Sequence, residues 1–105
     1  NTTKPDPVIT LPHSGAKSID AVGNHLFVGY WFSSSGPLWP NVDAFNLTTG
    51  NLDTTLVNAS PATVDTSSAI DAMYSIRAYR RSNGEYVVMK NNVKGNSITV
   101  YRWTP

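Results

Sequence analysis

Two histidines, a matched pair of aspartates, a run of arginines and a serine-rich loop flanked by aromatics are the side chains here with chemistry to offer. His13 and His25 are the only histidines. A metal would need further ligands at a recognisable spacing around them, and the sequence supplies none. Asp20 and Asp71 sit in similar surroundings, Ile19-Asp20-Ala21 and Ile70-Asp71-Ala72. Two acids about 5–10 Å apart across a cleft would suit a glycosidase. The plainer reading is a strand-end carboxylate accepting bonds from backbone amides. There is no Asp-x-Asp-x-Asp-Gly calcium loop, Gly-x-Ser-x-Gly elbow, cysteine nucleophile or phosphate-cradling glycine loop. No catalytic residue, metal ligand or cofactor is expected.

Arg77, Arg80 and Arg81 flank Tyr79, a combination that nucleic acid would use through phosphate contacts and base stacking. The chain as a whole carries a net charge of only +1, so a solvated face or an acidic partner is the better reading, and no nucleic acid is expected. The most distinctive stretch is Tyr30-Trp31-Phe32-Ser33-Ser34-Ser35-Gly36-Pro37-Leu38-Trp39-Pro40. Tyr30, Trp31, Phe32 and Trp39 have three uses open to them: finishing a core strand, anchoring a protein interface, or stacking on a sugar ring while the serines bond its rim. Asn1, Asn46 and Asn58 each open an Asn-x-Ser/Thr sequon, although Pro61 follows the third.

The elements that must position these residues are constrained by composition. The chain has 105 residues, no cysteine, and only 15 charged side chains against eleven Ser, eleven Thr and ten Asn. Forty per cent is hydrophobic, which is enough for one small core. Eleven aromatics argue against disorder, and the scarcity of Glu, Lys and Gln argues against a helical bundle. No apolar run is long enough for a membrane-spanning helix, the longest being residues 26–32, and no membrane insertion is expected. The first residue is Asn rather than Met, which suggests a processed product or a piece of a longer chain. With the sequons and the low charge, this places the protein outside the cell or on its surface.

Turn residues and alternation lay out strands along the whole chain. Residues 1–16 read as an extended arm, with Val8, Ile9, Thr10 and Leu11 a short β-run between prolines, suited to a sheet edge or to donation as a strand. Residues 17–22 and 25–31 flank a Gly23-Asn24 turn, and residues 41–47 and 52–57 flank Thr48-Thr49-Gly50-Asn51. Residues 70–79 are ambiguous between strand and helix, with at most one helical turn expected near 72–76. Ser82-Asn83-Gly84 signals a hairpin before strands at 85–90 and 97–103. Leu26, Val28, Phe45, Leu47, Val87, Ile98, Val100 and Tyr101 are the expected core, although Val100 and Tyr101 cannot share a face.

Two segments, 17–57 and 68–105, share an order of motifs. Asn24-His25-Leu26-Phe27-Val28 returns as Asn83-Gly84-Glu85-Tyr86-Val87, and the alternating stretch at 42–47 returns at 98–103. A strand leaving a turn, followed by Val42-Asp43-Ala44-Phe45-Asn46-Leu47-Thr48-Thr49-Gly50, resembles the blades of β-propellers. The resemblance implies an all-β fold of antiparallel meander sheets, two blade-like repeats, and carries no catalytic residue across. Two blades do not close a ring. The second repeat also ends a strand short of the first, which leaves an edge for residues 8–11 of this or another chain.

Charge divides along the same line. Residues 1–67 set Lys4 and Lys17 against Asp6, Asp20, Asp43, Asp53 and Asp65, a net of −3. Residues 68–105 set Arg77, Arg80, Arg81, Lys90, Lys94 and Arg102 against Asp71 and Glu85, a net of +4. Opposite halves favour head-to-tail packing. The functional expectation is a non-enzymatic extracellular β-module that assembles with copies of itself or with the remainder of a longer chain. A carbohydrate-binding module and a fragment of a secreted propeller enzyme are the alternatives, with glycans as the possible ligand.

Overall fold

Glycine and asparagine set the turns from which the sheets grow. A computed structural model describes residues 9–13, 15–30, 41–57, 73–92 and 98–105. Within these, β1 (Ala16–Val22) and β2 (His25–Tyr30) pair antiparallel across Gly23-Asn24. Gly23 has φ +57° and Asn24 does not share that sign, the backbone of a type II′ hairpin. The chain continues through β3 (Val42–Asn46) and β4 (Leu52–Leu56). In the turn between them the Asn46 side-chain oxygen accepts from the N–H groups of Thr48 (2.8 Å) and Thr49 (3.1 Å), holding the backbone in an Asx turn. The second sheet comprises β5 (Met73–Arg80), β6 (Tyr86–Asn92) and β7 (Ile98–Trp103). Asn83 does at the β5–β6 turn what Asn46 does in the first sheet, accepting from the Glu85 N–H at 3.0 Å.

The protein is therefore all-β: two antiparallel meanders, ordered β1-β2-β3-β4 and β5-β6-β7. They meet along β1 and β5. Ile76 N–H donates to Ser18 Oγ (3.2 Å) and Ala78 N–H to Asp20 Oδ2 (2.7 Å). The matched steps of two residues show that β1 and β5 run parallel. Side chains thus satisfy amides of the β5 edge that a continuous sheet would have paired with backbone. Beside that seam the inner faces of the two sheets share one core: Phe27, Val42, Ala44 and Leu56 against Ile76, Tyr86, Val88 and Tyr101. On the outer face of the first sheet, Val28, Tyr30 and Phe45 form a second cluster, covered by Ile9 and Leu11.

Within the ambiguous stretch 70–79, Met73–Arg80 is strand: Ile76 is buried, Arg77 exposed, Ala78 half-buried and Tyr79 exposed, a period of two. The expected core is corrected in part. Of the expected core, Val28, Phe45, Val87 and Tyr101 are buried and Leu26 is half-buried, but Leu47, Ile98 and Val100 are exposed. In β7 the inward parity belongs to Tyr101 and Trp103, so Ile98 and Val100 point outward. Of the candidate donor strand, Val8 lies outside the described residues, and Ile9, Thr10 and Leu11 pair with no described strand. Ile9 and Leu11 seat side chains on the first sheet's outer face while Thr10 faces solvent, which is the alternation of an extended segment.

Candidate functional site

Among the described residues, the densest polar cluster lies where four strands of both sheets converge. β2 begins with His25, whose side chain turns to the inner face beside Phe27, and only 6% of it meets solvent. β4 contributes Asp53, β6 Tyr86 and β7 Trp103. His25 Nε2 lies 2.8 Å from Asp53 Oδ2, and His25 Nδ1 lies 3.0 Å from Tyr86 Oη. A carboxylate accepts only, so the neutral ring carries its proton on Nε2 and takes the Tyr86 hydroxyl proton's bond at Nδ1. Asn46 Nδ2 donates to the same Asp53 oxygen at 3.3 Å.

Rings enclose this chain of bonds. Trp103 meets His25 edge-on at 4.8 Å and stacks on Tyr86 at 5.6 Å, and Arg80 sits 5.8 Å from the Tyr86 ring centroid. Tyr86 is 3% exposed, so its hydroxyl has no opening to a substrate. An Asp–His–Tyr chain is able to polarise a phenol, but here the phenol is the buried terminus of the chain. What the arrangement does is hold β2 and β4 of one sheet to β6 of the other.

A buried carboxylate stands on the outer face of the first sheet. Asp43 is fully buried and accepts from Tyr30 Oη (2.9 Å) and Thr55 Oγ1 (2.8 Å), joining β2, β3 and β4. Burial pushes the Tyr30 phenol well above its ordinary range, and its bond to the Asp43 carboxylate pushes it the same way. The sign follows from the raised folded-state value. The contribution to stability is complete below the unfolded phenol's pKa of about 10 and is lost as pH rises towards the folded value, at about 1.4 kcal/mol per pH unit. Tyr30→Phe should therefore be less stable than the parent at pH 7 and lose stability less steeply above pH 10. Urea midpoints measured between pH 8 and 11.5 check this, and parallel slopes for the two proteins would refute it.

The remaining sequence-derived candidates disperse. Trp31, Phe32, Trp39, Val8, Asn1, Asn58 and Asp71 lie outside the described residues. Tyr30 belongs to the outer-face cluster, not to an open loop, and His13 packs edge-on against it at 5.4 Å. Asp20 is engaged with the Ala78 amide. The arginine run splits by parity: Arg80 turns to Tyr86, while Arg81 pairs with Glu85 at 3.6 Å. Glu85 also takes two bonds from Arg102, at 2.9 and 3.1 Å, and these hold its carboxyl below the usual range. Asn46 has its side-chain nitrogen on Asp53 and its oxygen on the turn. Among the described residues no three His, Asp or Glu side chains converge as a metal site.

The roles of Asp53, Tyr86 and Trp103 escape sequence reasoning. His25 and Tyr86 are 61 residues apart, and no local pattern relates them. Comparison with models of protein families, with curated proteins and with solved structures finds no match to this chain.

Proposed function

We propose that the chain is a non-enzymatic, extracellular structural β-module: two propeller-blade-like sheets that self-associate into an oligomer or filament. One contrast carries the reading. The inner faces are sealed against each other and their ionisable groups are engaged internally, while both outer faces present apolar side chains to solvent. Ile19 is 62% exposed on the first sheet, and Ile98 and Val100 are 66% and 55% exposed on the second. Exposed β-rich surfaces of this kind mark association sites. The β7 edge of the second sheet, which no other described strand pairs, is the proposed acceptor for Val8, Ile9, Thr10 and Leu11 of a neighbouring copy, which would exchange their seat on the first sheet's outer face for backbone pairing along β7. The sequons at Asn1 and Asn58 support an extracellular setting.

Light scattering coupled to gel filtration tests the reading. The full chain should run at multiples of 11.4 kDa, and removal of residues 1–12 should release folded monomers. A wild-type chain that stays monomeric up to about 1 mM, the limit of weak specific association, overturns self-association. An assembly unchanged by the deletion overturns the donor role of the arm.

A further inference from the structure

We infer that Asn83-Gly84, at the tip of the β5–β6 hairpin, is a self-modification site that the fold holds shut, so that its chemical change records time spent unfolded. Of the ten asparagines only Asn83 precedes a glycine. The nucleophile that attacks an asparagine side-chain amide is the backbone nitrogen of the next residue, and a Cβ on that residue stands in its way. Glycine has no Cβ and the widest choice of backbone angles. In an unfolded chain the Gly84 nitrogen gives its proton to hydroxide and bonds to Asn83 Cγ. The Cγ–Nδ2 bond breaks, and ammonia leaves with a proton from water. Water then opens the cyclic imide. Cleavage of the nitrogen's bond to Cγ leaves aspartate at position 83. Cleavage of its bond to the main-chain carbonyl carbon leaves isoaspartate, whose backbone runs through the former side chain. No electrons enter or leave, and water and hydroxide are the co-reactants.

The folded hairpin engages both reacting groups. The Gly84 N–H donates to the Arg81 carbonyl at 2.9 Å, and the Arg81 N–H donates to the Glu85 carbonyl at 2.7 Å. Gly84, at φ +90°, is the left-handed residue that closes such a three-residue loop. The proton that the nucleophile must lose is therefore held in a hydrogen bond. Asn83 Oδ1 accepts from the Glu85 N–H at 3.0 Å, which keeps the carboxamide in one rotamer. Asn83 is exposed, so water and hydroxide reach it, and the protection comes from these bonds rather than from burial. Reaction waits for a local opening of the hairpin tip.

The two products differ in what they do to the fold. Aspartate keeps an oxygen for the Glu85 N–H, so the turn survives. Isoaspartate inserts a methylene group into the backbone of a loop whose length sets the register of β5 on β6. Arg80 and Tyr86 pair immediately beyond that loop, and Tyr86 is the residue that reaches His25 in the first sheet. A chain modified to isoaspartate while unfolded therefore refolds with its two sheets less well joined.

The test incubates the full chain at mildly alkaline pH, with and without denaturing guanidinium chloride, and follows each asparagine by peptide mass mapping. In the unfolded chain Asn83 should convert ahead of every other asparagine. In the folded chain it should convert about tenfold to a hundredfold more slowly, the effect of two hydrogen bonds at their usual net strength. Asn83→Asp should keep the parent's circular dichroism spectrum, whereas isoaspartyl chain isolated from the unfolded sample and refolded should melt below the parent. Equal rates at Asn83 in folded and unfolded chain overturn the protection. Earlier conversion at other asparagines in the unfolded chain overturns the site. An Asn83→Asp chain without the parent's spectrum, or an isoaspartyl chain that melts with the parent, overturns the link between loop length and the joining of the sheets.

Discussion

Tyr86→Ala should lose about 4–8 kcal/mol, a large share of the stability of a small domain, whereas Tyr86→Phe should lose only about 1–3 kcal/mol. The difference separates the two things the residue does. Its ring is 3% exposed and lies between Phe27, at 5.4 Å, and Trp103, at 5.6 Å. Truncation to alanine opens a cavity where both sheets meet, a loss of about 3–5 kcal/mol, and it also strips His25 Nδ1 of its donor. A domain of this size has only about 5–15 kcal/mol to lose. The phenylalanine variant keeps the packing and removes one bond inside a buried network. Urea unfolding followed by tryptophan fluorescence measures both. The ¹⁵N shifts of His25 give an independent check, since Nδ1 should lose the signature of an accepted hydrogen bond. A Tyr86→Phe protein with the parent's midpoint and unaltered His25 shifts would mean that the bond does not couple the sheets.

One added methyl group should be nearly as damaging at Gly23. Its φ of +57° is the left-handed region, where a side chain costs about 1–2 kcal/mol. The new Cβ would also stand 2.6 Å from Tyr86 Oη and 3.4 Å from Arg80 Cδ. Tyr86 is stacked and hydrogen-bonded, so its hydroxyl has little room to retreat, and displacing it breaks the bond to His25. Gly23→Ala should therefore cost about 2–5 kcal/mol in all. The same change made in Tyr86→Phe meets no hydroxyl, and its cost should fall to the backbone strain alone, about 1–2 kcal/mol. A double-mutant cycle reads that coupling directly. Additive losses would show that the hairpin tip and the His25–Tyr86 bond are independent.

Both predictions depend on the inner faces being a single structure. The association proposed above draws on the opposite faces, so loss of Tyr86 and loss of Val100 should differ in kind. The first should lower the melting temperature of any species present. The second should change mass without changing the fold.

Local chemistry in the sequence determined the strands. Glycine at the first position of the β1–β2 turn, asparagines able to bond their own backbone at the β3–β4 and β5–β6 turns, and alternating side chains each act over a few residues. The all-β class and most strand positions are therefore legible in the order of the residues alone. The extended character of Ile9, Thr10 and Leu11 is legible too, though not the surface they lie on.

Which side of a strand faces inward is a different kind of fact. In β7 both parities offer apolar residues, Ile98 with Val100 and Tyr101 with Trp103. Only the arrival of the first sheet on one side decided between them, burying Tyr101 and leaving Val100 exposed. The stretch 70–79 is locally ambiguous, and the β1 side chains Ser18 and Asp20 favour its extended form by receiving the Ile76 and Ala78 amides. By type and surroundings Asp20 suits half of a catalytic pair, yet its place at the seam between the sheets is set by a strand 58 residues away. The same holds for His25, whose partners come from 28 and 61 residues along the chain. Hydrogen bonds and packing across such separations leave no trace in local spacing, because the geometry that creates them exists only after the two sheets have closed on a common core.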